Sequence, residues 1–396
     1  MKAAKSPASR YYRPELDVVR FLAFLLVFLH HTLPHGGNPR IESLLKSLAP
    51  VYYTFAHACR FGLSLFFTLS AFLICELLLR EREAAGTVGV KQFYIRRILR
   101  IWPLYYLALA LGLVYALMPG GDAATAPKLG WFAIFMGAWY STTTQEVLNN
   151  PANPLWSISV EEQFYLFAPW IVKYSSRKWL YGFCVALAVF ANACLFYLGK
   201  TGTSDNCIWY NSFVQFECFA GGILLCLFLH GRVPRLAVWQ RLLLTAGCCL
   251  FWMTAAYGQL YRSNYYPSGP TGSSILIGAY ALSTLGCVML LAASLGATPK
   301  LLPRWAIYLG RISFGLYVYH DFAIFLVNRL PIGSVLNHAK LIYPVYAFLS
   351  TALTIGLPLG LTLLAAALSY RYFETPFLKM KKRHSVIESQ PIQGAG

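Results

Sequence analysis

Apolar residues in this chain come in long blocks rather than in the short alternations of a soluble strand or helix. Read between charged and turn residues, the blocks fall at 16–34, 55–79, 102–118, 155–173, 179–198, 212–230, 241–260, 273–296, 311–328 and 342–369. Most are near the roughly 20 residues that cross a bilayer as helix. The pattern therefore predicts an all-α polytopic membrane protein, a bundle of about ten transmembrane helices with no soluble domain. A shorter apolar piece, Leu129 to Tyr140, runs into a polar Thr/Gln/Asn/Pro stretch and is expected to be re-entrant or half-buried. The resulting organisation is an N-terminal tail over 1–15, a transmembrane domain over 16–378 and a basic, disordered tail over 379–396.

Composition agrees, with 57% hydrophobic and 12% charged residues and a mean hydropathy of +0.52, against about 25% charged for an ordinary soluble domain. The formal net charge of +18 changes meaning in this setting. With both termini in the cytoplasm, 24 of the 33 lysines and arginines fall in inner segments and eight in outer ones, as the positive-inside rule requires of an inner-membrane protein. Sorted this way, the charge argues against a nucleic-acid partner and for contact with anionic lipid and anionic cytosolic ligands. The N-terminal tail meets the first block without a small-residue cleavage site, so that block is expected to remain as an anchor. The ten cysteines lie nearly all in apolar runs without a CxxC pair, giving no sign of a disulfide framework or a metal site.

Ionisable groups inside membrane segments are costly and are candidates for chemistry. The first span carries Asp17, Arg20, His30 and His31. Arg20 and His31 are eleven residues apart, about three helical turns and about 16 Å of rise, so they share one face; Asp17 lies one turn from Arg20, where it can pair with it, and His30 points about 100° away. The bland alternative is that Arg20 snorkels to the inner surface and the histidines cap the outer end. Arg97 and Arg100, one turn apart before Pro103, suit either a phosphate-rich cofactor or lipid headgroups. Glu161 and Glu162 each lie one turn from a serine, Ser157 and Ser159, that can satisfy them. His320 beside Asp321 reads as a relay or an interhelical hydrogen bond, and Glu374 as an ion-pair partner of Arg371 or a site residue. Glu217, ahead of Gly221 and Gly222, is a weaker candidate of the same kind.

These motifs, in order, resemble the acyltransferase-3 family of integral membrane acyltransferases. The matching residues are Pro14-Glu-Leu-Asp-Val-Val-Arg20, the Arg20 and His31 pairing, Gly62 with Phe66 to Ile74, Arg97 and Arg100, Trp156-Ser157 with Glu161 and Phe164-Tyr165, Ser313 to His320, and Arg371-Tyr-Phe-Glu374-Thr-Pro376. Ala71 departs from the family's usual glycine, which either tightens a helix contact or narrows a pocket. The doubled His30-His31 leaves two imidazoles where the family has one, and geometry favours His31.

The resemblance implies transfer of an acyl group, usually acetyl from acetyl-CoA, to a hydroxyl of a sugar, polysaccharide or other acceptor, with no metal. His31 would be the essential base or acyl carrier, with Arg20 in the same pore and Glu161 orienting a histidine or sugar hydroxyls. Arg97, Arg100 and Asp17 would hold the donor. The competing class is a transporter or flippase of lipid-linked sugars or acyl groups, which also accounts for many spans and buried charge.

Overall fold

The computed structural model describes residues 11–37, 42–43, 45–298, 302–332, 343–384 and 387, with the backbone alone over 343–348. The described residues form helices and no strand. Long helices run over α1 (Pro14–Thr32), α3 (Phe61–Ala85, preceded by α2, Ala49–Ala58), α4 (Val90–Leu117), α7 (Leu155–Tyr174), α8 (Arg177–Lys200), α10 (Ser212–Leu229), α11 (Val238–Tyr265), α12 (Gly269–Ser294), α14 (Ser313–Asn328) and α15 (Tyr343–Leu368). Shorter ones are α5 (Leu129–Ala133), α6 (Gly137–Thr144), α9 (Asp205–Tyr210), α13 (Arg304–Arg311) and α16 (Thr375–Lys382).

Seven helical stretches are long and apolar enough to cross a membrane: Lys46–Ala85, α4, α8, α10, α11, α12 and Leu349–Lys382. The other three expected spans coincide with α1, α7 and α14, which are shorter or carry more charged and polar residues. The protein is an all-α, multi-pass membrane protein.

Local sequence explains the element ends that shape the bundle. Ser176, Ser204 and Asn211 each accept a backbone N–H at a helix start, the expected role of such side chains. Gly86 closes α3 with a left-handed φ of +73° that suits glycine. The basic stretch holding Arg97 and Arg100 is not a separate surface helix: α4 carries it and the apolar span as one rod, with Pro103 inside. Leu129 to Tyr140 is broken into α5 and α6. Free carbonyls at the break are met by protein donors: the hydroxyls of Tyr105 and Tyr106 reach the Phe132 and Ala133 oxygens at 2.6 and 3.0 Å, and Gln163 Nε2 reaches that of Phe135 at 3.1 Å. Irregular backbone at membrane depth survives only with such partners.

Small residues set the tightest helix contacts. Gly222 on α10 lies against the Thr68 carbonyl and the Ala71 methyl of α3. The alanine at 71 is thus fully buried in a helix seam, where it tightens packing and leaves the cavity described below untouched. Gly310 on α13 rests directly on the Asp17 carbonyl of α1, so any Cβ there overlaps it. Gly310→Ala is expected to cost about 1–3 kcal/mol through overpacking and to lower the apparent Tm in detergent. Gly182→Ala, where a Cβ meets nothing within 4 Å, serves as the neutral control.

Candidate active site

Asp17 is the fixed point of the basic end of the bundle. Its side chain is 1% exposed, a position a carboxylate tolerates only with partners. Arg20 Nη1 donates to Oδ1 at 2.6 Å, the pairing expected from one-turn spacing, and the Tyr12 hydroxyl donates to Oδ2 at 3.0 Å. Arg311, from α13, lies 3.8 Å from Oδ2 and donates to the Tyr12 hydroxyl at 2.8 Å. No local spacing in the sequence links Arg311 to Asp17. Its contact with Asp17 depends on Gly310 letting α13 press against α1.

Asp17 and Arg20 face a cavity of about 1490 Å³, open mouth included, which Arg97, Arg100 and Glu161 also line. Helices α1, α3, α4, α7 and α14 form its walls. Arg97 lies over the rings of Phe93 and Tyr165, at 5.4 and 5.2 Å from their centroids, with its Nε buried and without a hydrogen-bond partner among the described residues. Among the described residues neither Arg97 nor Arg100 is in an ion pair, whereas Arg20 and Arg96 each have a carboxylate. Six cationic side chains and three carboxylates line the space, so it presents an unneutralised positive field. Its chemistry suits an extended ligand with several negative charges and an apolar arm, because Phe66, Phe67, Leu69 and Leu73 line the deeper part.

Glu161 belongs to this cavity but not through the serines. The Tyr165 hydroxyl donates to its Oε2 at 2.9 Å and lies 2.6 Å from Ser70 Oγ. Ser157 Oγ donates instead to the Pro154 carbonyl at 2.9 Å and Ser159 Oγ to that of Leu155 at 3.3 Å. The preceding turn's carbonyls outcompete the acids, a common fate of helical serines. Glu161 contacts no histidine among the described residues. Glu162 points the other way, accepting from Trp102 Nε1 at 3.4 Å, and does not line the cavity.

His31 lies outside the cavity that Arg20 lines. The deep end closes against Phe66, Ser157 and Tyr317, where the Ser157 and Tyr317 hydroxyls are 2.6 Å apart. One turn beyond Tyr317 sits His320, fully buried, whose Nδ1–H donates to the Tyr317 carbonyl at 2.5 Å. That bond leaves Nε2 without a hydrogen-bond partner among the described residues. The His31 ring stands 5.1 Å from that of His320, and its Nδ1 is 3.8 Å from Asp321 Oδ1. The ligand-type atoms of His31, His320 and Asp321 lie within 4.8 Å of one another. An imidazole between a buried carboxylate and a second imidazole has the chemistry to pass a proton; two histidines and one aspartate are also a donor set that can take a zinc-type ion. His30 turns away, its Nδ1–H donating to the Ala56 carbonyl at 3.3 Å.

Two other sequence candidates, Glu374 and Glu217, do not line the cavity. Glu374 accepts from Ser369 Oγ at 3.1 Å and forms no ion pair with Arg371, because Ser369–Glu374 winds as a π-helical turn that changes which side chains stack. Glu217 is buried in α10 and its Oε2 has no hydrogen-bond partner among the described residues. The sequence reading missed the Asp321 carboxylate as a neighbour of His31, and Ser70 and Tyr165 as the pair holding Glu161. Asp321 and Ser70 come from other helices, so no local spacing marks them, whereas Tyr165 stands one turn from Glu161 on α7 itself, a spacing visible in the sequence. The ten cysteines are all free.

The acyltransferase-3 family model (Acyl_transf_3), described as an acyltransferase domain, matches residues 13–363. The chain is 24% identical to the peptidoglycan O-acetyltransferase OatA of Listeria monocytogenes, over 94% of this chain and 56% of that protein. It is 25% identical to the Bacillus subtilis protein named "Putative peptidoglycan O-acetyltransferase YrhL", over 92% of this chain and 55% of that protein. It thus spans a little over half the length of the curated relatives it matches. No solved structure matches significantly. A family model that covers the cavity-lining residues from Arg13 to Tyr317 in one match leaves a single assignment: the chain belongs to the acyltransferase-3 family.

Proposed function

We propose that this protein is a membrane O-acyltransferase that takes an acyl group, acetyl in the simplest case, from acyl-CoA and delivers it to a hydroxyl of a cell-envelope polysaccharide. The observation that carries the reading is the gathering of Asp17, Arg20, Arg97 and Arg100 around one positively charged cavity, with His31 three helical turns further along α1. In this reading the basic end faces the cytoplasm and both termini lie there, in the plasma membrane. Arg97 and Arg100 hold donor phosphates, since planar guanidinium forks match phosphate oxygens. Arg20, fixed by Asp17, flanks the arm. Eleven residues of helix rise about 16 Å, a span that an extended pantetheine arm covers, so the thioester reaches the neighbourhood of Tyr317 and His31.

There His31 either removes the acceptor hydroxyl's proton as the oxygen attacks the thioester carbonyl and thiolate leaves, or takes the acyl group on its ring nitrogen and passes it on. Asp321 orients the ring and balances its charge when protonated. The peptidoglycan activity in the names of the relatives points to a glycan acceptor of that type. Labelled acetyl-CoA supplied to membranes with and without the protein tests the reading: label is expected in a polysaccharide fraction, and label that stays on CoA or crosses the membrane unattached would instead support the transporter class. Proton transfer by His31 also predicts that activity survives a metal chelator; loss restored by zinc would reassign His31, His320 and Asp321 to a metal.

A further inference from the structure

The sequence reading starts a disordered tail at 379, but the chain does something else there. Helix α16 continues to Lys382 and packs along α4. Beyond it, Arg96 Nη1 donates to the His384 carbonyl at 2.9 Å, while Arg96 Nη2 holds Glu81 at 2.7 Å on the other side. Ile387 is 8% exposed, so the segment is pinned by a hydrogen bond and by an apolar side chain set into the bundle. Lys381 and Ile387 both line the cavity that Arg20, Arg97 and Arg100 line. A lysine brought into a space already rich in guanidinium groups raises the repulsion there, and a bound polyanion relieves it.

We propose that residues 375–384, together with Ile387, form a strap across the mouth of the cavity, and that Lys381 is a further ligand for a phosphate group of the donor. The inference rests on the donor reading above and extends it: donor binding and docking of the strap are one coupled event, since phosphate bridging Lys381 to Arg97 and Arg100 ties α16 to α4. Arg96 acts differently, because its guanidinium is committed to Glu81 and to the strap's backbone. It is a positioning residue.

The experiment uses the full chain in nanodiscs of neutral lipid, with CoA binding measured by calorimetry and trypsin cleavage after Lys382 and Arg383 followed in parallel. Lys381→Gln is expected to weaken CoA binding about tenfold, the effect of losing one charge-assisted contact. Lys381→Arg should recover most of it, and Lys379→Gln, an exposed residue on the same helix, should leave it unchanged. CoA should slow cleavage of the native strap, and Ile387→Asp should abolish that protection. Native CoA affinity in Lys381→Gln, with protection intact, overturns the strap proposal while leaving the donor reading in place. Failure of the unmodified protein to bind CoA overturns the donor reading itself. Protection by vesicles containing phosphatidylglycerol, but not by CoA, assigns the cationic cluster to lipid phosphate and overturns both.

Discussion

Membranes carrying His31→Ala are expected to transfer label about 10²–10⁴-fold more slowly than those carrying the native protein, at equal expression and insertion. His30→Ala should retain most activity. The two imidazoles are adjacent in sequence, and the structure separates them: His31 stands 3.8 Å from Asp321 and beside His320, whereas His30 is occupied with the Ala56 carbonyl. Removing His31 removes the only imidazole of α1 that reaches Asp321 among the described residues, so His30 cannot take over the proton or the acyl group. Asp321→Asn keeps the shape and loses the charge, so it should lower turnover with little change in donor KM. Loss in His30→Ala together with retention in His31→Ala would move the chemistry to the other imidazole. Equal loss of folded protein in both variants would be visible as lost detergent-stable monomer before any assay.

Arg97→Ala combined with Arg100→Ala is expected to raise the apparent KM for the acyl donor by two or more orders of magnitude while leaving turnover at saturating donor much less affected. A hydrogen bond to a charged group contributes about 1.5–3 kcal/mol, so each guanidinium is worth about 10–100-fold in affinity. Neither arginine is in an ion pair among the described residues, so their loss removes attraction for the ligand without breaking a direct carboxylate pair. Arg97→Lys should recover only part of the affinity, because a lysine ammonium cannot reproduce a planar fork or its stacking between Phe93 and Tyr165. The measurement is initial rate against donor concentration in membranes of fixed lipid composition. An unchanged donor requirement would return both residues to the lipid headgroups.

Much of this arrangement was legible because membrane proteins write it locally. Apolar block length determines where a helix crosses, and α7, α8 and α10 begin and end within two residues of the expected spans. The Asp17 and Arg20 pair follows from one-turn spacing on a single helix, where geometry leaves little freedom. Serine partners for Glu161 and Glu162 were misread for the converse reason. One-turn spacing permits a contact, but the backbone carbonyl one turn back is nearer, and Tyr165 and Trp102 offered the acids better donors. The pairing of Arg371 with Glu374 failed because a π-helical turn changes the residue stacking that an α-helix would impose.

By itself, the sequence determined the class of protein, the helix positions, the shared face of Arg20 and His31, and the basic motif of Arg97 and Arg100. All of these are properties of single segments, set by hydropathy and by the 3.6-residue turn. Tertiary structure alone decided that α1, α4 and α7 bring their charges around one cavity, that Arg311 joins Asp17, and that Tyr317 and Ser157 stand between that cavity and His31. It also placed Asp321 beside His31 and folded Lys381 back into the basic cluster. Those contacts join residues up to several hundred positions apart, and they exist because glycine and alanine seams let particular helices approach closely, a consequence of packing in three dimensions that no local pattern records.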